Sequence, residues 1–150
     1  MPVNRKIQIL RISLLIVMLL LMACGPATAP STTTPTTFTA SFGLAGTPGD
    51  GGWNLAHYRG IKTIKKLGEV LEENDHSFLV KIDDPNYPDL KGILLRVNII
   101  TDIGYSGADI ERRFESIIQI QKPDILFATY WDSKDAAVKM AQKYPDLLVE

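Results

Sequence analysis

The segment Gly46-Thr47-Pro48-Gly49-Asp50-Gly51-Gly52-Trp53-Asn54 holds the residues best suited to chemistry. A glycine-rich loop between a strand and a helix can turn backbone N–H groups toward an anion. The spacing excludes the two familiar phosphate loops. No Gly-Lys-Ser/Thr follows, and glycines at 46, 49, 51 and 52 do not fall in G-x-G-x-x-G order. Taken alone, the glycines read equally well as a tight turn that needs positive φ. Trp53 and Asn54 tilt the reading toward a ligand. A tryptophan on such a loop has little reason to be core, and its indole face suits stacking on a flat base, a contact of ~1–3 kcal/mol. The amide of Asn54 can both donate to and accept from a base edge.

Tyr130-Trp131-Asp132 is a second candidate group. Its rings could wall a cleft, and its carboxylate could take ribose hydroxyls or a ring N–H. The plainer alternative is that Trp131 packs and Asp132 caps the following helix; for Asp132 the cap is the favoured reading. His57 and His76 are isolated and have no metal-ligand spacing. Asp83-Asp84 sits in a proline-rich stretch and reads as solvated. No G-x-S-x-G elbow and no nucleophile–base pair is present. The expectation is therefore a binding protein, not an enzyme, with no cofactor and no metal.

Cys24 is the one cysteine, so no internal disulfide can form. It follows Arg5, Lys6 and Arg11 and the apolar run Ile12 to Met22, which only Ser13 interrupts. A run of about eleven residues is too short for a bilayer core of ~30 Å and suits a signal-peptide core. Leu21-Met22-Ala23-Cys24-Gly25 then reads as a lipobox, which would make Cys24 an acylated first residue anchored in a lipid bilayer. The alternative is an ordinary signal peptide with a chance cysteine. The Pro/Thr-rich stretch after it has almost nothing to bury, and its prolines keep it extended. The expected organisation is a signal peptide at 1–24, a linker at 25–37 and a folded part at 38–150.

The elements that must position these groups follow from periodicity. Phe38–Ala45 alternates and ends in glycine, which predicts a strand. Leu55, Tyr58, Ile61, Ile64, Leu67 and Leu71 recur near helical spacing, with Lys62, Lys65 and Lys66 on the other face. Glu69–Gly92 is the least legible stretch; it offers one short strand at Phe78–Ile82 and then an acidic, proline-bearing loop. Ile93–Thr101 is β-branched and predicts a strand. Ser106 with Asp109 resembles a capping box for a helix whose buried stripe is Ile110, Phe114, Ile117 and Ile118, and which Pro123 ends. Asp124–Thr129 is a short apolar run, as in a parallel strand covered on both faces. Ala136, Ala137, Met140, Ala141 and Tyr144 mark a further helix, with Asp132 or Ser133 as its cap, and Leu147–Val149 a further strand. Alternating strands and helices predict an α/β fold, a parallel sheet flanked by helices. Ligands of such sheets collect at the carboxyl ends of the strands, which is where both candidate groups fall.

Composition agrees with a folded body: 45% of residues are hydrophobic and 22% charged. The net charge is −1, but three of the 16 basic residues precede Cys24; the rest set 13 basic against 17 acidic residues. An acidic body gives no footprint for nucleic acid, so none is expected as a partner. It also lacks a polybasic patch for anionic lipid.

Gly49-Asp50-Gly51-Gly52-Trp53-Asn54, then Tyr58-Arg59-Gly60 and Leu67-Gly68, resembles the opening of the basic-membrane-protein family of solute receptors, the PnrA-like group. Asp124-Ile-Leu-Phe-Ala-Thr129, Asp135-Ala136, Ala141 and Tyr144-Pro145-Asp146 resemble its later strand, helix and turn. The likeness covers about 38–67 and 99–149 and rests on order and spacing, not on any single motif. It implies the first lobe of a type I periplasmic-binding fold, whose two lobes close on a purine nucleoside or nucleobase. It implies an ABC transporter permease as partner and a lipid-anchored place on the extracytoplasmic face of the cell membrane. It assigns Trp53 to base stacking, Asp50 and Asn54 to polar ligand contacts, and Tyr130 and Trp131 to the cleft rim. Two departures stand out. Glu69–Arg96 is longer than the family's usual link, and a two-lobed receptor needs about twice this length. The expectation is thus a receptor truncated to its first lobe. The alternatives are a non-functional or split-gene fragment, an independent small α/β surface lipoprotein, or an extracytoplasmic enzyme on a flavodoxin-like domain.

Overall fold

A computed structural model describes residues 36–150. The signal-peptide and lipobox expectations, Cys24, and most of the linker lie outside those residues. The described part is α/β, as the alternation predicts: a six-stranded, mostly parallel sheet flanked by helices. The strands are β1 (Thr37–Gly43), β2 (Gly68–Glu73), β3 (Ser77–Ile82), β4 (Leu94–Ile100), β5 (Ile125–Ala128) and β6 (Leu148–Val149). The helices are α1 (Trp53–Lys62), α2 (Gly107–Gln121) and α3 (Lys134–Lys143). The sheet order is β2-β3-β4-β1-β5-β6. β4, β1, β5 and β6 run parallel, while β3 and β2 join antiparallel.

Strand alternation sends neighbouring residues of β1 to opposite faces. Phe42 packs with Leu44, Val97, Ile99, Phe78 and Ile61 under α1. Gly43 faces the other way, and a Cβ there would come within 3.0 Å of the Phe114 ring, so glycine lets α2 close on the sheet. On that second face Ile110, Phe114, Ile117 and Ile118 of α2 meet Leu126, Ala136 and Met140. This is the stripe that the spacing predicts. Each such fully buried side chain contributes about 1.5–3 kcal/mol. Ion pairs from Lys139 to Glu111 and from Lys143 to Glu115 tie α3 to α2 along their outer edges.

Two expectations need correction. The first helix does not run on to Leu71. It stops at Lys62, continues as a 3-10 turn over Thr63–Leu67, and gives way to β2, where Leu71 is exposed. The residues at 55, 58, 61, 64 and 67 are spaced by three, which a 3-10 turn satisfies as well as an α-helix does. The Ser106–Asp109 capping box does not form either. Ser106 occupies the N-cap position of α2 without a side-chain bond, and Asp109 pairs with Arg112 at 2.7 Å. The stretch from Glu69 to Arg96, the departure from the family pattern, folds as the β2–β3 hairpin and the return into β4. That hairpin makes the sheet mixed rather than wholly parallel.

Candidate functional site

The chain leaves β1 through Leu44 and Ala45, turns at Gly46, and passes a 3-10 turn at Pro48–Asp50 before α1 begins at Trp53. Asp50 organises this loop. Its carboxylate accepts hydrogen bonds from the Gly52 N–H at 2.9 Å, the Asn54 N–H at 3.2 Å, the Leu55 N–H at 3.3 Å and the Asn54 side-chain amide at 2.6 Å. It thus satisfies donors at the start of α1 that a helix cannot satisfy itself. The Gly52 N–H above all, with the Asn54 and Leu55 donors, holds the Asp50 carboxyl below its usual range, against a partial opposing effect of desolvation. Gly51, at φ 70°, supplies the left-handed turn that brings these donors round. Asn54 is buried and braces the loop from the other side: its side-chain oxygen accepts the Gly46 N–H at 3.2 Å.

Trp53 projects from this brace. Its ring is 60% exposed, stands 4.6 Å from the His57 ring, and donates its Nε1–H to the Thr129 carbonyl at 2.9 Å. Thr129 lies just past β5 and is itself fixed by its hydroxyl, which donates to the Gly43 carbonyl at 2.8 Å. The indole therefore bridges the carboxyl ends of β1 and β5.

Beyond Thr129 come Tyr130 and a 3-10 turn at Trp131–Ser133 that leads into α3. Trp131 is 77% exposed, with the Lys134 ammonium 4.4 Å from its ring centroid. Tyr130 is buried and donates its hydroxyl to the Gly104 carbonyl at 2.9 Å. Burial, then the nearby Asp132 and Tyr105, push that hydroxyl's pKa up to about 12. Ser133, not Asp132, is the N-cap residue of α3, and its hydroxyl donates back to the Tyr130 carbonyl. Of the two caps expected, Asp132 or Ser133, Ser133 holds the position, and Asp132 borders the cleft.

These groups line one cleft of about 760 Å³ at the carboxyl ends of the parallel strands. Asp50, Trp53, Asn54, Tyr130 and Trp131, which the sequence singles out, all border it. Their roles divide. Trp53 and Trp131 present free ring surface. Asp50 and Asn54 border the cleft and also brace the loop through their side-chain hydrogen bonds. Tyr130 is not at the rim; it forms part of the wall with its hydroxyl already engaged. Sequence reasoning missed Tyr105 and Lys134, which also border the cleft. Tyr105 lies in the Thr101–Gly107 segment after β4, where strand-end geometry directs a search, but no motif marks it. Among the described residues, no group of His, Cys, Asp and Glu is placed to hold a metal ion, and no helix is long and apolar enough to cross a membrane.

No protein-family model matches this sequence, and no curated protein matches it.

Proposed function

We propose that the domain binds a flat aromatic solute, a purine nucleoside or nucleobase, as the extracytoplasmic receptor of an ABC importer. The observation that carries this reading is the exposure of Trp53 and Trp131 on a single cleft. Leaving two indoles in water forgoes hydrophobic stabilisation of ~25 cal/mol per Å². The Trp53–Thr129 hydrogen bond and the Lys134 contact return only part of it, whereas a ligand that covers the rings returns more. The cleft volume falls in the range of small-molecule sites, about 300–1,000 Å³, and its place at the strand ends is where open α/β sheets bind ligands. A purine has two apolar faces for an indole and polar edges for the groups around it.

The transport part of the reading draws on the motif resemblance, with Gly51-Gly52-Trp53-Asn54 at its centre. It carries with it the acylated Cys24 in the bilayer and a permease as partner. Positions 53 and 131 hold both of the chain's tryptophans, so intrinsic fluorescence reports on this cleft alone. Titrating the full chain with adenosine, guanosine and inosine should quench it saturably. A Trp53→Ala chain that binds equally well would remove the stacking role. Incorporation of labelled palmitate, abolished in Cys24→Ser, checks the anchor; labelling that survives the substitution would refute it.

A further inference from the structure

The polar groups of the cleft are unevenly committed. Near α1, the carboxylate of Asp50 and the amide of Asn54 bond to the loop, and the Nε1–H of Trp53 bonds to Thr129. The hydroxyls of Thr129 and Tyr130 are likewise engaged, with Gly43 and Gly104. Among the described residues, Trp131, Lys134 and Glu150 border the cleft with side-chain polar atoms that bond to no other described residue, and so do Tyr105 and Asp132.

Tyr105 and Asp132 belong to the Tyr130 end of the cleft. The Tyr105 ring meets the Tyr130 ring edge-on at 6.1 Å, Asp132 lies two residues beyond Tyr130, and both act on the Tyr130 hydroxyl. The loop that carries Tyr105 is firmly held. The N–H of Ile103 donates to the Leu44 carbonyl at 3.1 Å, that of Gly104 donates to the Ala45 carbonyl at 3.0 Å, and Tyr130 holds the Gly104 carbonyl. Gly104, at φ 94°, then turns the chain so that Tyr105 stands out, 67% exposed. The Tyr105 ring packs on Tyr130, but its hydroxyl makes no hydrogen bond to another described residue.

We propose that Tyr105 is a specificity-determining ligand contact: with the Asp132 carboxylate, its hydroxyl holds the vicinal diol of a sugar while Trp53 stacks on the base. This rests on the purine reading above, and it makes the ligand a ribonucleoside rather than a free base. The chemistry is complementary. A carboxylate only accepts, a phenol donates and accepts, and a vicinal diol offers two of each. The flat, apolar part of the ligand meets the indole, and the hydroxylated part meets Tyr105 and Asp132.

Calorimetry on the full chain with inosine, 2′-deoxyinosine and hypoxanthine tests this, using the wild type and the Tyr105→Phe variant. The substitution removes one oxygen from an exposed ring, so the fold is kept; far-UV circular dichroism checks this. The wild type should bind inosine more tightly than the other two. Tyr105→Phe should weaken inosine about fivefold, the effect of one net hydrogen bond, and leave hypoxanthine unchanged. Equal inosine affinity in the two chains, or an equal loss for inosine and hypoxanthine, overturns the assignment. If the wild type binds purines through Trp53 but Tyr105→Phe is silent, the Tyr105 assignment alone falls. If the folded wild type binds none of the three, the purine reading falls with it.

Discussion

At the carboxyl ends of β1, β4 and β5 the rings of Trp53, Tyr105 and Trp131 stand in solvent, whereas the β2–β3 hairpin at the margin of the sheet shows water mainly charge. Several charges of the hairpin and of the turn after it are paired. Glu73 binds Lys65 at 2.7 Å and Lys62 at 3.3 Å, Glu72 binds Arg96 at 2.7 Å, and Asp83 binds Lys91 at 2.9 Å. Folding alone accounts for that surface. β2 is an edge strand, and Glu69, Glu72 and Glu73 guard it against pairing with another chain. The strand-end loops show the reverse arrangement. The polar groups of Asp50, Asn54, Thr129 and Tyr130 are turned inward to fix backbone, and the rings of Trp53, Tyr105 and Trp131 are turned outward. A region that spends polar groups on rigidity and leaves aromatics bare is organised for a ligand.

Substitutions in the two regions test this contrast. The largest effect should come from Gly68→Ala in the hairpin. A Cβ there would lie 1.9 Å from the Lys81 carbonyl oxygen and 2.9 Å from the Asp83 nitrogen, both of them backbone atoms. Denaturant unfolding should show a loss of about 3 kcal/mol, and binding measured on the remaining folded protein should be unchanged. A variant as stable as the wild type would mean that β2 does not pair as described. Next, Trp53→Ala should cost ~1–3 kcal/mol of binding but less than about 1 kcal/mol of stability, because the ring is mostly in water. The opposite pattern would turn Trp53 into a folding residue and erase the contrast.

Asp50→Asn should weaken binding by a smaller factor, since the brace is loosened and the indole is not removed. Its pH dependence has a definite sign. The folded-state pKa of Asp50 lies below the usual carboxylate range, chiefly because the Gly52 N–H donates to it. The brace is therefore fully present above about pH 4 and is lost as pH falls through the depressed folded value. Urea midpoints between pH 7 and 3 should fall less steeply in Asp50→Asn than in the wild type; identical slopes would contradict the brace. The smallest effect belongs to Glu72→Gln, which breaks only an exposed pair. It should change stability by less than about 0.5 kcal/mol, and added salt should erase the difference.

Much of this architecture was legible because burial imposes a period. β1, β4 and β5 and the stripe Ile110, Phe114, Ile117 and Ile118 could be read directly, since a buried face repeats in the sequence. β2 could not. Gly68-Glu69-Val70-Leu71-Glu72-Glu73 is exposed along nearly its whole length, so no alternation records its pairing. Its one leucine extended the spacing of the preceding helix by coincidence. At the cleft, residue type pointed to Trp53 as an exposed ring and left Trp131 between cleft wall and packing; both rings are exposed. Type could not show that Asp50 and Asn54 would bond to each other and to the loop. An aspartate just ahead of a helix carries a capping signal as strong as any ligand signal. Tyr105 escaped because an isolated tyrosine on a loop has no pattern, and only the meeting of three strand ends places it beside Tyr130 and Asp132.

The most direct test is a calorimetric titration of inosine into the full chain and into Trp53→Ala. The account predicts saturable, single-site binding in the wild type, and affinity weaker by about tenfold or more in the variant, with unchanged far-UV circular dichroism. No heat of binding in the folded wild type, or equal affinity in the two proteins, would contradict it.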